Sequence, residues 1–410
     1  MALMQLLNRT LLVALGITPP WEVVGIEFSQ ENKRLDIRID FPRGAQFACP
    51  VCGAEAPVYD TTEKTWRHLN FFQYEAYLTA RVPRTNCPNT GCGIKQVVVP
   101  WSRAGSGFTL LFEALVMALA RQMPVNAIAT LLNVHDTRLW RIIRSYVDAA
   151  RVAEDFSGVT RLGADETSAR RGHDYVTFFF DMDARKLLFG THGKDHTTVE
   201  RFVADFEAHG GNPESVTDAC IDMSKSFIKG LQEQFPNAVL TFDQFHVIKL
   251  MNDVLGKIRA EEARQFPEEL RKTRYLFLKN PDRLTEEQEQ RLRSLTRFDL
   301  GSIKAYILKL SLQFVYCAQD RQEAEILLKS WYRRAIRSKV DRIVKLAKTV
   351  KEHWQGILSY FDSRLTNGFL EGINSLVQAA KAKARGYRNP DNLIAMAYLI
   401  AGKLEFPQPT

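Results

Sequence analysis

Val159-Thr160-Arg161-Leu162-Gly163-Ala164-Asp165-Glu166 is the stretch on which the fold turns. A largely apolar run ends abruptly on two acids. Strand-like segments follow at Tyr175–Asp183, Lys186–Thr191, Ser215–Asp222 and Ala238–Val247. Helical spacing runs from Thr198 to His209 and again up to Phe235. Strands interleaved with helices predict a mixed sheet packed under helices. Within this frame Asp165 closes the first strand. Asp222 closes the fourth, where the helix Ser224–Gln234 begins. Glu371 lies within a last helix read over Ser363–Arg385, among Asn367, Gly368, Asn374 and Gln378, with Gly386 and Pro390 as its stop signals. Carboxylates gathered from two strand ends and a helix suit a pair of Mg²⁺ ions, which prefer oxygen ligands and leave room for phosphate oxygens. Taken singly, each acid reads more readily as a surface residue or a cap. Glu166, Asp218, Asp181 and Asp183 compete with them, and spacing alone does not separate the candidates.

Working outward, the 410 residues predict two or three domains at roughly 150 residues each. Hydrophobic residues at 45% and charged residues at 25% exclude a disordered or fibrous chain. No apolar run reaches the roughly 20 residues that span a bilayer. The start, Met1–Gly16, is apolar but interrupted by Asn8 and Arg9, and it reads as a buried helix rather than a signal peptide. A cytoplasmic protein is expected, without membrane partners. The net charge of +8 permits a polyanionic partner. Its distribution says more. Between Lys329 and Lys351 stand Arg333, Arg334, Arg337, Lys339, Arg342, Lys345 and Lys348, against the single acid Asp341. Such a run is either a solvated helix face or a surface for phosphates, and we read Arg333, Arg334, Arg337, Lys345 and Lys348 as DNA contacts.

The cysteines are unevenly spread. Cys49-Pro-Val-Cys52-Gly53 is echoed by Cys87-Pro-Asn-Thr-Gly-Cys92-Gly93, while Cys220 and Cys317 lie alone in apolar surroundings. Two thiolates at short spacing wrap one metal, and glycine after the second allows a left-handed turn. Four thiolates in tetrahedral array favour one structural Zn²⁺ with no open position. His68 is then expected to be hydrogen-bonded rather than a ligand. Downstream, Ile128, Leu131, Leu132, Val134, Leu139, Ile142 and Ile143 form an apolar face over residues 124–149. Asn133 stands where a short turn divides two helices, Asp136 or Thr137 could cap the second, and that second helix would expose Arg138, Arg141 and Arg144. This is the pattern of a helix-turn-helix with its recognition helix; an ordinary helical hairpin is the alternative.

Several motifs together resemble the ISL3 family of bacterial insertion-sequence transposases. They are Gly163-Ala164-Asp165-Glu166, Ile221-Asp222-Met223-Ser224, Pro236-Asn237-Ala238, Phe242-Asp243-Gln244-Phe245-His246-Val247, Ser363-Arg364-Leu365-Thr366-Asn367-Gly368-Phe369-Leu370-Glu371-Gly372-Ile373-Asn374 and Lys381-Ala382-Lys383-Ala384-Arg385-Gly386-Tyr387. The resemblance covers nearly the whole chain, including the four-cysteine finger and the helix-turn-helix. It implies a ribonuclease-H-like mixed-sheet catalytic domain with an Asp-Asp-Glu triad at Asp165, Asp222 and Glu371, served by two Mg²⁺ or Mn²⁺ ions. His246 would reach the scissile phosphate or merely cap a helix.

The interval from Asp222 to Glu371 is too long for a loop, so it is expected to hold the fifth strand and an all-helical insertion. The implied domains are 1–45 (helix and strands), 46–100 (zinc finger), 101–155 (helix-turn-helix), 156–255 (first part of the catalytic core), 256–355 (insertion) and 356–410 (final helices). Trp331 and Trp354, in or near the insertion, read as core. The resemblance implies hydrolysis at the element's ends to free a 3′-hydroxyl, and attack of that hydroxyl on target DNA. The partners would be double-stranded DNA, as terminal inverted repeats and as target, and at least one further copy of the chain. The rival readings are an inactive DNA-binding relative acting as a repressor, a nuclease of the same fold that never joins strands, and a zinc-stabilised scaffold that binds RNA or protein.

Overall fold

Apolar and polar residues alternate along Arg34–Asp40 and along residues 75–82, and a sheet with one buried face results. In the computed structural model, which describes residues 15–406 apart from 90, 171 and 173, β1 (Glu22–Ser29), β2 (Arg34–Asp40), β3 (Gln46–Ala48), β4 (Glu55–Phe71), β5 (Tyr74–Asn86) and β6 (Ile94–Gln96) form this sheet. Its order is β1-β2-β5-β4-β3, with β6 also on β5. Strands β2 and β5 pair in parallel, so residues on either side of the first cysteine pair share one sheet. Leu35, Ile37 and Ile39 of β2 and Leu78, Ala80 and Val82 of β5 point inward, onto Trp21, Trp66 and Trp101. The helix expected at Met1–Gly16 lies outside the described residues except for its last two positions. The chain divides into two compact units, Met1–Tyr146 with Glu405–Thr410, and Val147–Leu404.

The first unit continues into α1 (Leu110–Ala120), α2 (Val125–Leu132) and the start of α3 (Asp136–Val152). Thr109 caps α1 by accepting the Phe112 N–H at 3.3 Å. Asn133 ends α2 in the left-handed conformation, φ 51° and ψ 47°. Asparagine tolerates that region because its short amide bonds locally, and here the amide reaches Glu75 at 2.8 Å. Residues Ile128, Leu132, Leu139, Ile142 and Ile143 are buried as the apolar face requires, whereas Leu131 is exposed.

In the second unit β7 (Arg161–Ser168), β8 (Tyr175–Asp181), β9 (Lys186–His192), β10 (Asp218–Ile221) and β11 (Val239–Phe242) form a sheet of order β11-β10-β7-β8-β9. Strand β8 is antiparallel to β7 and β9, while β10 and β11 run parallel to β7. The run Val176–Phe180 is buried without alternation because both faces of β8 are covered. Phe179 stacks on Phe202 of α4 (His196–Ala208) at 4.2 Å, and Phe180 meets Phe369 of the helix at Gly368–Lys383 edge-on at 5.7 Å. Helix α5 (Lys225–Gln234) packs on α4.

Between β11 and that late helix the chain is helical: α6 (Gln244–Glu262), α7 (Arg274–Leu278), α8 (Glu286–Leu295), α9 (Gly301–Val315), α10 (Arg321–Ile336), α11 (Asp341–Glu352) and α12 (Trp354–Ser363). Trp331 is fully buried and its indole N–H donates to the Leu308 carbonyl at 2.9 Å, so it is a core residue. Trp354 is partly buried against the same core. Helices α13 (Gly368–Lys383) and α14 (Pro390–Ala401) close the unit. Among the described residues no helix is long and apolar enough to cross a membrane.

Three boundaries near the acids differ from the sequence reading. Strand β7 does not close on Asp165 but runs on to Ser168, because β8 pairs with it along that length, Asp165 beside Phe178 and Ser168 beside Tyr175. The strand expected to run to Val247 stops at Phe242, because Asp243 caps α6. The helix expected from Ser363 begins at Gly368, because Arg364 turns left-handed at φ 54° and ends α12.

Helix α12 lies so close to β11 that only glycine fits at the crossing. A Cβ on Gly356 would stand 2.3 Å from the Phe242 ring. Gly356→Ala is therefore expected to cost about 1–3 kcal/mol through overpacking, read as a lowered urea midpoint at constant slope; an unchanged midpoint would remove this contact from the account.

Candidate active site

The four cysteines converge. Their sulfurs all lie within 4.8 Å of one another, and among the described residues no other group of three or more Cys, His, Asp or Glu is so tight. Cys52 and Cys87 Sγ are 3.4 Å apart, close to the roughly 3.8 Å edge of a tetrahedron with Zn–S bonds near 2.3 Å. Gly53 and Gly93 take the expected left-handed turns, φ 75° and 62°. The Ala54 N–H and the Asn89 amide hold the Cys52 thiol down to about 6, while the neighbouring Cys52 sulfur and burial push Cys92 up to about 12. Four thiolates this close repel one another, and a divalent cation is what relieves them. The cluster fits one structural zinc. His68 is no ligand: its Nδ1 bonds Thr109 Oγ1 at 2.9 Å, and burial holds its imidazole down to about 4.

On α3, Arg138 and Arg141 are exposed and Arg144 is half-buried. Arg138 is stacked on the Phe108 ring at 4.3 Å, which orients its guanidinium along the helix start. Arg144 donates to the Trp140 carbonyl at 3.4 Å. In the second unit Arg333, Arg334, Arg337, Lys345 and Lys348 are all exposed on or beside α10 and α11.

The acids are assembled by hydrogen bonds between residues far apart in the chain. Helix α13 lies on β7, and side chains spaced for one helix face, Asn374, Gln378 and Lys381, bond the strand in succession. Asn374 Nδ2 donates to Asp165 Oδ2 at 2.5 Å, Gln378 Nε2 to Thr167 Oγ1 at 2.5 Å, and Lys381 Nζ to the Ser168 carbonyl at 2.6 Å. Gly163 allows this approach, since a Cβ there would meet Leu370 of α13 at 3.1 Å. Glu371 precedes Asn374 by three residues, less than one helical turn, so its carboxyl is carried to the neighbourhood of Asp165. Asp222 follows β10, the parallel neighbour of β7, and accepts the Ser224 N–H at 2.9 Å.

Electrostatics record the proximity. Burial lifts the Asp165 carboxyl above its usual range; Asp222 adds to this, and His246 opposes it. Burial also lifts Glu371, helped by Asp243 and Asp165 and opposed by His246. Glu166 is pushed up to about 7 by burial and by Asp222. The carboxylates are thus neighbours, though less tightly grouped than the cysteines. Glu371 Oε1, Asn374 Oδ1, both amide atoms of Asn367 and His246 Nδ1 are buried with no hydrogen-bond partner. Oxygen atoms left so, beside acids that raise one another, fit hard divalent cations.

In the sequence Asn374 and Gln378 stand out only as neighbours of Glu371. The spacing 374, 378, 381 on one helical face was the signal available for their common role.

Residues 162–397, more than half of the chain, match the model of the ISL3 family described as Transposase. The chain belongs to the ISL3 family of transposases. Residues 97–147 match the helix-turn-helix domain of that family, and residues 45–92 match the zinc-finger of transposases IS204, IS1001, IS1096 and IS1165. Among similar proteins, the transposase for insertion sequence element IS1557 of Mycobacterium tuberculosis is 29% identical over 425 residues, covering 94% of this chain and 93% of the relative. The transposase for IS1001 of Bordetella parapertussis is 26% identical over 400 residues, covering 94% and 96%. This ISL3 transposase therefore combines a zinc-finger module, a DNA-binding helix-turn-helix and a transposase domain.

Proposed function

We propose that the transposase domain is ribonuclease-H-like and works by two-metal chemistry at Asp165, Asp222 and Glu371, with the helices between Asp222 and Glu371 forming an insertion. Three antiparallel strands followed by two parallel ones support the fold. The observation that carries the site is the Asn374–Asp165 bond, which joins the helix of Glu371 to the strand of Asp165. When bound there, two Mg²⁺ or Mn²⁺ ions about 4 Å apart would activate an attacking oxygen and stabilise the leaving one. Asp165, Asp222 and Glu371 supply the charge that holds the cations. His246, half-buried beside them, would meet the scissile phosphate.

Water attacks the terminal phosphodiester, the 3′-oxygen leaves and takes a proton. The freed 3′-hydroxyl then attacks a target phosphodiester, so one ester bond forms as another breaks. The reading places the zinc finger and helix-turn-helix on terminal inverted repeats, with the basic face of α10 and α11 on the DNA backbone. Two ends held together imply at least a dimer on DNA, acting in the cytoplasm.

The test is a fragment carrying the gene's flanking inverted repeats, incubated with the protein, Mg²⁺ and a supercoiled target plasmid. New 3′-hydroxyl ends and joined products are expected. Cutting without joining favours the nuclease reading, and neither product from folded, DNA-bound protein favours the repressor. Arg141→Ala should weaken end binding and reduce the slope of log affinity against log salt by about one, measured by anisotropy titrations at several salt concentrations; an unchanged slope would take Arg141 off the phosphates.

A further inference from the structure

We infer that Asp243 is a positioning residue of the proposed active site, locking the segments that carry Asp222, His246 and Glu371 into one register. The inference rests on the two-metal reading above. Asp243 follows β11 as Asp222 follows β10, and these strands are paired in register, Ile221 beside Phe242. Its backbone N–H donates to the Ile221 carbonyl at 3.2 Å, which ties it to the residue before Asp222. Its Oδ2 accepts the Phe245 N–H at 3.1 Å, capping α6, and lies 3.6 Å from His246 Nδ1. Its Oδ1 accepts the Asn367 N–H at 2.9 Å, across 124 residues of chain. The Asn367 carbonyl in turn accepts the Glu371 N–H at 2.8 Å, in the first turn of α13. One side chain therefore meets the N-termini of α6 and α13, whose dipoles favour a carboxylate there.

The side chain is 2% exposed. A buried charge is costly and an apolar residue would avoid that cost, so what Asp243 contributes is geometry. Two acceptor oxygens serve two amides from different helices. An asparagine offers one acceptor oxygen and would turn its NH₂ toward the other amide.

The experiment compares the full-length wild type with Asp243→Asn in cleavage of inverted-repeat DNA across a Mn²⁺ titration, with melting temperature and end binding measured in parallel. Melting and end binding should hold. The half-saturating Mn²⁺ concentration should rise about 10- to 100-fold, the effect usual for supports of metal ligands, and kcat should fall with KM for DNA unchanged. Wild-type Mn²⁺ dependence and kcat in the folded variant overturn the inference. Should Asp243→Asn fail to fold, Asn367→Pro removes the N–H that Oδ1 accepts, at a φ of −80° that proline tolerates, and Asn367→Ala, which keeps that N–H, is the control for the lost amide side chain. A Mn²⁺ requirement raised beyond that of Asn367→Ala supports the role, and one no higher than that of Asn367→Ala overturns it. Asp165→Ala run alongside separates the two ideas: if it cleaves, the two-metal reading fails; if it is dead while Asp243→Asn is normal, only the positioning role fails.

Discussion

Asp165→Ala and Asp222→Ala are each expected to abolish Mg²⁺-dependent cleavage of inverted-repeat DNA while leaving end binding intact. Each acid sits beside the other's charge and lifts or is lifted by it, so each supplies part of the field that would hold the cations. Loss of one ligand removes transition-state stabilisation of several kcal/mol, about 1000-fold or more in rate. End binding should persist because the cysteine cluster and helix-turn-helix belong to the unit Met1–Tyr146, while both acids belong to Val147–Leu404. Cleavage assays with matched gel-shift titrations decide the point. Activity surviving in either variant removes that acid from the site, and joint loss of binding and cleavage makes the residue structural instead.

Removal of zinc should have an effect as large on the other unit. Cys49→Ser, or treatment of the wild type with a strong chelator, is expected to unfold the cysteine module and eliminate end binding. Four-thiolate zinc sites contribute on the order of 10 kcal/mol to folding, more than a small sheet keeps in reserve. The first sheet reports the loss directly, since Trp21, Trp66 and Trp101 pack edge-to-face within it at 5.0 and 5.6 Å. Their fluorescence should shift to the red on chelation, with stoichiometric zinc released to an indicator, while helical circular dichroism from the second unit stays. Unchanged fluorescence and end binding after complete zinc release would assign the cluster no structural role.

Much of this was readable before any coordinates. Paired Cys-Pro…Cys-Gly turns carry their own geometry, and the structure closes four sulfurs together. The apolar spacing around Asn133 marks two helices and the turn between them, which the structure makes left-handed at Asn133. The phenylalanine run of β8 reads as a strand, and the structure covers both of its faces. Other features were not readable. Nothing local says that α13 begins at Gly368, since Ser363–Arg385 has helical spacing throughout. Nothing local gives Arg138 to the Phe108 ring rather than to solvent. Asp243 stood in a motif as one acid among several, and its bond to Asn367 appears only in three dimensions.

Sequence by itself determined the cysteine module, the divided helix pair, the order of strands and helices, and the acids that stand on or just after strands, because these follow from periodicity, turn chemistry and ligand spacing over short stretches. Only the tertiary structure decided that Asn374 grips Asp165 and that Asp243 ties three segments together. Those bonds join residues more than a hundred positions apart, and their partners are chosen by how helices settle on the sheet, down to the glycine that lets Leu370 approach β7.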